Sequence, residues 1–259
     1  MSVRDDHGEL VGCVALVCGG AGPVGSALAT ELAARGAGVI VHTRRRLATA
    51  EKLVASLAGP ARHIAIAGDL SDEREARRLF ATAGSTVGPP TIVVNAAYPA
   101  TPARRVYDLG PADVEAHLVG LEAHVNVCRL ALPEMRREAK GRIVLISGAL
   151  ALRVFPGFAR YAAVKAGLNA FSRTLALEEG ANGITVNVIA PGRVETGDGT
   201  AGFEPDPAYE QLDQVSRQRT ALPAMVTPRD LAELTAFLVS DRAKAVTGQV
   251  IQMAAGEPM

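Results

Sequence analysis

The chain has no tryptophan, few aromatic residues of any kind (4%) and three cysteines in 259 residues. Cys13, Cys18 and Cys128 are odd in number, sit in apolar segments and lack metal-ligand spacing. That argues against a disulfide-stapled scaffold or a metal site and points to reduced core thiols in a cytoplasmic protein. An excess of charge is missing too, since 27 Lys and Arg balance 27 Asp and Glu. Without a basic tract, nothing suggests nucleic acid or an anionic membrane surface as a partner. No uninterrupted apolar run approaches the ~20 residues of a membrane span. The opening MSVRDDHGEL has no apolar signal-peptide core.

What is there is enough apolar material, 48% of residues, for a full core in one domain spanning residues 1–259. Abundant Ala, and Arg in preference to Lys, fit a GC-rich bacterial coding sequence. Short apolar runs predict strands at 14–18, 38–42, 63–68, 91–96, 142–147, 184–190 and 249–253. Amphipathic runs between them predict helices near 24–35, 47–58, 72–84, 111–138, 158–180 and 229–239. Strands apolar throughout, alternating with helices, imply an α/β fold with a parallel sheet covered on both faces. Residues 192–220, rich in Gly, Pro and acids, read as an irregular insertion after the sixth strand and a substrate-binding loop.

Directly after the first strand comes CGGAGPVGSALATELAARG, with G-x-G-x-x-G at Gly20, Gly22 and Gly25. Glycines between a strand and a helix permit a tight turn and close backbone approach to a pyrophosphate resting on the helix N-terminus. Pro23 suits the first helical turn. The second strand ends in HTRRR, residues 42–46, with no acid between Arg35 and Glu51. An acid there would bind the ribose of NAD, whereas arginine suits a 2′-phosphate. Three consecutive arginines are not expected to face one ligand together, and Arg44 and Arg45 are the candidates.

In RYAAVKAGLNAFSRTLALE, Tyr161 and Lys165 stand one helical turn apart on a run whose Val164, Leu168, Phe171 and Leu175 recur at helical spacing. By this point the chain resembles the short-chain dehydrogenase/reductase family along nearly its whole length. The glycine turn is similar to that family's first fingerprint in the spacing Gly19, Gly22, Gly25, with Pro23 departing from the compact branch's pattern. Asp69 in GDLSD, VVNAA at 93–97, NVIAPGRVET at 187–196 and TGQVIQM ending at Met253 resemble further family elements in order.

The resemblance implies a single-domain, doubly wound Rossmann fold of about seven parallel strands, usually assembled as a homotetramer or dimer through its two long helices. It implies NADP(H) held by Gly19, Gly22, Pro23, Val24 and Gly25, by Thr43, Arg44 and Arg45, and by Asp69, Leu70, Asn95, Ala96 and Ala97. Tyr161, Lys165, Pro191, Gly192, Val194 and Thr196 would complete that site. It further implies Tyr161 as general acid/base and Lys165 as the ribose ligand that lowers the phenol pKa. Two family members are missing: Gly148 stands where the active-site serine is expected, and Gly120 where an asparagine holds a relay water. Ser147 is the candidate substitute for the serine. His117 and His124 share a helix face with Gly120 and read as structural.

The expected activity is NADPH-dependent reduction of a ketone, or a related C=X bond, of a small-molecule substrate. The alternatives are a non-redox enzyme on the same fold, such as a cyclase, isomerase or dehydratase, or a cofactor-binding subunit without turnover.

Overall fold

The computed structural model describes residues 8–98, 102–196 and 207–257. Seven strands form one parallel sheet: β1 (Val14–Cys18), β2 (Gly38–Thr43), β3 (Ile64–Ala67), β4 (Ile92–Asn95), β5 (Gly141–Ile146), β6 (Ile184–Pro191) and β7 (Val250–Met253). Their order is β3-β2-β1-β4-β5-β6-β7. The chain thus reverses direction across the sheet between β1 and β4, where ligands of open α/β sheets bind beyond the strand C-termini. Cys18 pairs with His42 on one side and Asn95 on the other, and Asn95 pairs with Leu145. This register sets the glycine turn, the arginine turn and the Asn95 segment side by side.

Period-2 alternation sends neighbouring residues to opposite faces. Val17, Val41 and Val94 join Leu28 and Leu32 of helix α1 (Pro23–Ala34) and Leu231 and Leu238 of helix α7 (Pro228–Val239) in one buried cluster. Helix α2 (Leu47–Ser56) packs against it through Leu53 and Val54. Leu16, Cys18, Val93 and Ile143 face the other way. There they meet Leu79 of α3 (Glu73–Thr86), Val127, Cys128 and Met135 of α4 (Pro111–Arg137), and Leu175 of α5 (Ala159–Glu179). Local signals place the helix starts. Pro23, Pro111 and Pro228 sit in first turns, Asp72 caps α3, and Thr227 and Asp230 form a reciprocal capping box on α7.

All three cysteines are free, and burial pushes the Cys128 thiol up to about 12. Among the described residues, no helix is long and apolar enough to cross a membrane, and no cluster of His, Cys, Asp or Glu could hold a metal.

The segment 192–220 corrects the sequence reading. Residues 197–206 lie outside the described residues, but Pro207–Arg219 form a helix, α6, with Tyr209, Leu212 and Ser216 buried. Its signals were local: Pro207 at the start, Glu210 in the first turn, Arg217 and Arg219 in the last, and a 3-4 spacing on one face. The glycines and acids just before it obscured them.

Candidate active site

A cleft of about 580 Å³ runs along the C-terminal edge of the sheet and, Gly20 apart, is lined by every residue the sequence singles out for cofactor or catalysis. At one end is the glycine turn. Gly19 has φ +77° and a Cβ there would come within 2.9 Å of the Ala97 backbone. A Cβ on Gly25 would lie 2.2 Å from the Gly19 carbonyl. Both positions therefore require glycine for the chain's own packing. Gly22, at the N-terminus of α1, is different: its nearest neighbour would be 3.4 Å away. Its bare backbone leaves open space in the cleft, and no side chain caps the helix there.

Beyond β2, the Thr43 hydroxyl accepts the Arg46 N–H at 3.3 Å and shapes the arginine turn. Arg44, Arg45 and Arg46 are exposed and all three line the cleft, Arg46 joining the two the sequence singled out. A Cβ on Gly22 would be 3.7 Å from the Arg46 guanidinium, so Arg46 reaches back over the glycine turn. His42, unremarked in the sequence, is buried and donates from Nε2 to the Gly68 carbonyl at 2.9 Å; burial lowers its pKa. Partial burial pushes the Asp69 carboxyl up, but hydrogen bonds from Ser71 and the charge of Arg44 outweigh it and hold it below the ordinary range. Asn126 of α4 fixes this turn by donating to the Leu70 and Ser71 carbonyls, both at 3.0 Å.

At the other end, α5 presents Tyr161 and Lys165. The Lys165 ammonium is buried and donates to the Ile146 carbonyl at 2.9 Å. Burial lowers its pKa to about 7. The nitrogen lies 4.2 Å from the centre of the Tyr98 ring and 5.6 Å from that of Tyr161. Burial and the neighbouring Tyr209 raise the Tyr161 phenol above its usual pKa. In the free protein this keeps the phenol protonated. The first cause is physical: burial strips a phenolate of its water and so disfavours the charged form.

Gly148 has φ −176°, an extended geometry open to any residue. Its glycine is explained by Tyr161 instead, because a Cβ at 148 would lie 2.3 Å from the phenol oxygen. Ser147 lines the cleft, but its Oγ points to the Lys165 carbonyl at 3.5 Å and is buried. Of the two histidines, His124 is fully buried and accepts from Asn95 Nδ2 at 3.0 Å while its Nε2 faces Cys128 Sγ at 3.7 Å. Burial, with the nearby Lys165 charge, lowers it to about 3, so it is a neutral clamp. Asn95 is thereby oriented to accept the Ala97 N–H at 3.0 Å. His117 is buried against Tyr98. Gly120 lines the cleft between them.

Helix α6 forms the outer wall. Tyr209 and Leu212 pack with Leu150, Phe158 and Tyr161. Arg193 pairs with Asp213 and stacks on Tyr209 at 5.4 Å. Arg153, which lines the cleft, pairs with Glu257 at 2.6 Å and donates to Ser216 Oγ at 3.3 Å. None of these contacts was legible in the sequence, since each joins elements far apart in the chain.

A family model described as enoyl-(acyl carrier protein) reductase matches residues 19–257. The hydroxynaphthalene reductase-like protein Arp2 of Metarhizium acridum is 32% identical, covering 96% of each chain. The 3-oxoacyl-[acyl-carrier-protein] reductase of Rickettsia conorii is 31% identical, covering 96% of this chain and 98% of that one. A crystal structure of a dehydrogenase/reductase from Sinorhizobium meliloti superposes with a TM-score of 0.84 at 27% identity, covering 96% of each chain.

Two expectations follow from the crowding around Tyr161. Gly148→Ser and Gly148→Ala should each displace the phenol and lower turnover at least tenfold; a Gly148→Ser enzyme faster than the parent would show that Tyr161 yields without cost. Lys165 titrates near 7 when folded and near 10.5 when unfolded. Burying its charge therefore destabilises the free protein fully below pH 7, and the penalty fades as pH rises toward 10.5. Urea melts of Lys165→Met should show a stability gain over the parent at pH 6 that shrinks by pH 10. A gain independent of pH would refute the assignment.

Proposed function

The chain belongs to the short-chain dehydrogenase/reductase family, oxidoreductases that use nicotinamide cofactors, and we propose that it reduces a ketone of a small molecule with NADPH, using Tyr161 as proton donor. The observation that carries this reading is that Tyr161, one helical turn from Lys165, lines the same cleft as the uncapped glycine turn and the three arginines. Two relatives are named as reductases, one of them of a 3-oxoacyl group, which supports a carbonyl as the reducible bond.

The cleft fits the cofactor. Gly22 leaves backbone room that the chain's own packing does not require, and the α1 N-terminus offers uncapped N–H groups to a pyrophosphate. Arg44, Arg45 and Arg46 suit a 2′-phosphate, and Asp69 suits the adenine amino group. Asn95, Ala96, Ala97 and Lys165 would take the ribose beside the nicotinamide, and Pro191, Gly192, Val194 and Thr196 the nicotinamide end. The bound cofactor supplies the hydride. The chain supplies the rest: Tyr161 gives a proton to the carbonyl oxygen, while Leu150, Tyr209 and Leu212 hold an apolar substrate and exclude water. Exposed Val114 and Leu118 on α4 and Leu177 on α5 support assembly of copies through these helices. The three free cysteines support a cytoplasmic protein.

Affinity for NADPH should exceed that for NADH at least tenfold, about 1.4 kcal/mol, and Arg44→Ala or Arg46→Ala should erode the difference. Equal affinities by calorimetry would exclude NADP selectivity. Tyr161→Phe should abolish ketone reduction while NADPH binding persists; an active Tyr161→Phe enzyme would remove the proton-donor role.

A further inference from the structure

The reaction end of the cleft has a donor problem. Reduction of a carbonyl places negative charge on its oxygen, and preorganised donors aimed there carry much of the rate. Gly148 offers no side chain, and none fits while Tyr161 holds its position. The Ser147 hydroxyl is turned toward the Lys165 carbonyl. Tyr98, Thr196 and Tyr209 also bring hydroxyls to the cleft, and of these Tyr98 belongs to the ring that meets Tyr161 edge-on. Tyr98 follows Asn95–Ala97 off the end of β4 and lines the cleft. Its ring meets that of Tyr161 edge-on, 5.1 Å between centres at 78°, and the Lys165 ammonium sits 4.2 Å over its face. His117 closes the far side at 5.8 Å. The Tyr98 hydroxyl is buried and makes no hydrogen bond. Buried phenol hydroxyls ordinarily find a partner, so an unpaired one beside the proposed acid is a site waiting for an acceptor.

We propose that Tyr98 is a second catalytic donor, hydrogen-bonding the substrate's reacting oxygen in the place of the missing serine; this rests on the ketone-reductase reading. As a hydride adds to the carbonyl carbon, the C–O π pair moves onto oxygen, which takes the Tyr161 proton to give the alcohol. Tyr98 keeps its proton throughout and only donates a hydrogen bond. Burial, and then the adjacent Tyr161 phenol, push the Tyr98 hydroxyl above its usual pKa, consistent with a group that stays protonated. Lys165 over the ring face positions that ring while leaving its hydroxyl free.

The test is Tyr98→Phe, which keeps the ring and removes the hydroxyl. With 2-naphthol as an oxygen-bearing probe and naphthalene as its control, the parent protein should bind the naphthol at least tenfold tighter. In Tyr98→Phe that advantage should fall to threefold or less, with naphthalene affinity unchanged as evidence of an intact fold. Reduction of a ketone should lose ~10²-fold in kcat, with KM for NADPH unmoved. Equal naphthol binding by parent and variant, or no preference for naphthol over naphthalene in the parent, overturns the assignment. The binding comparison does not depend on turnover. A parent that reduces no ketone therefore defeats the reductase reading, while naphthol affinity still decides Tyr98.

Discussion

The reaction end of the cleft is organised around one buried ammonium. Lys165 has left water for a site between β5 and α5, where the Ile146 carbonyl and the face of Tyr98 hold it. Taking a lone cation into such a place is costly, and the environment answers by lowering its pKa rather than by supplying a full counter-charge. The groups around it are buried as well, and burial sets their charge states. His124 is kept neutral, Tyr161 stays protonated, and the Ser147 hydroxyl takes the helix carbonyl. A carboxylate placed here to neutralise the lysine would remove the polarity that both phenols share.

The sheet, most of the helices and many of the residues that line the cleft were legible because each rests on a local rule. Apolar runs such as VALVC and TIVVN pack on two faces, proline opens helices, and glycine stands where Gly19 and Gly25 leave no room for a side chain. Placing Tyr161 beside Lys165 needed only the i, i+4 geometry of α5. What escaped were contacts across the chain. Arg46 comes to line the cleft where the Thr43 hydroxyl curls the turn back over Gly22. Tyr98 gained meaning only beside a helix more than sixty residues later, and Arg153 only when α6 and Glu257 close on it. The helix at Pro207–Arg219 was missed for another reason: its short apolar stripe follows a stretch of glycines and acids that sets a loop-like average.

Gly148 shows how a missing residue can be misread from sequence. A glycine at a strand end suggests unusual backbone, yet the backbone there is plainly extended. The space was given up to a neighbour's side chain, so the absent hydroxyl and the present phenol are one feature. A relative with serine at this place would need its tyrosine held differently, and its pocket would differ in shape as well as in donors.

Helix α4 touches both ends of the cleft with side chains half a turn apart. Asn126 grips the Leu70–Ser71 turn, and His124 grips Asn95 through its amide. A helix shifts as a stiff rod, so these two grips cannot drift independently. The helix works as a caliper bar, setting the span between the turn that would meet adenine and the segment that carries the two phenols. Any contact that slid α4 along its axis, including packing against another copy, would rescale the whole cleft at once.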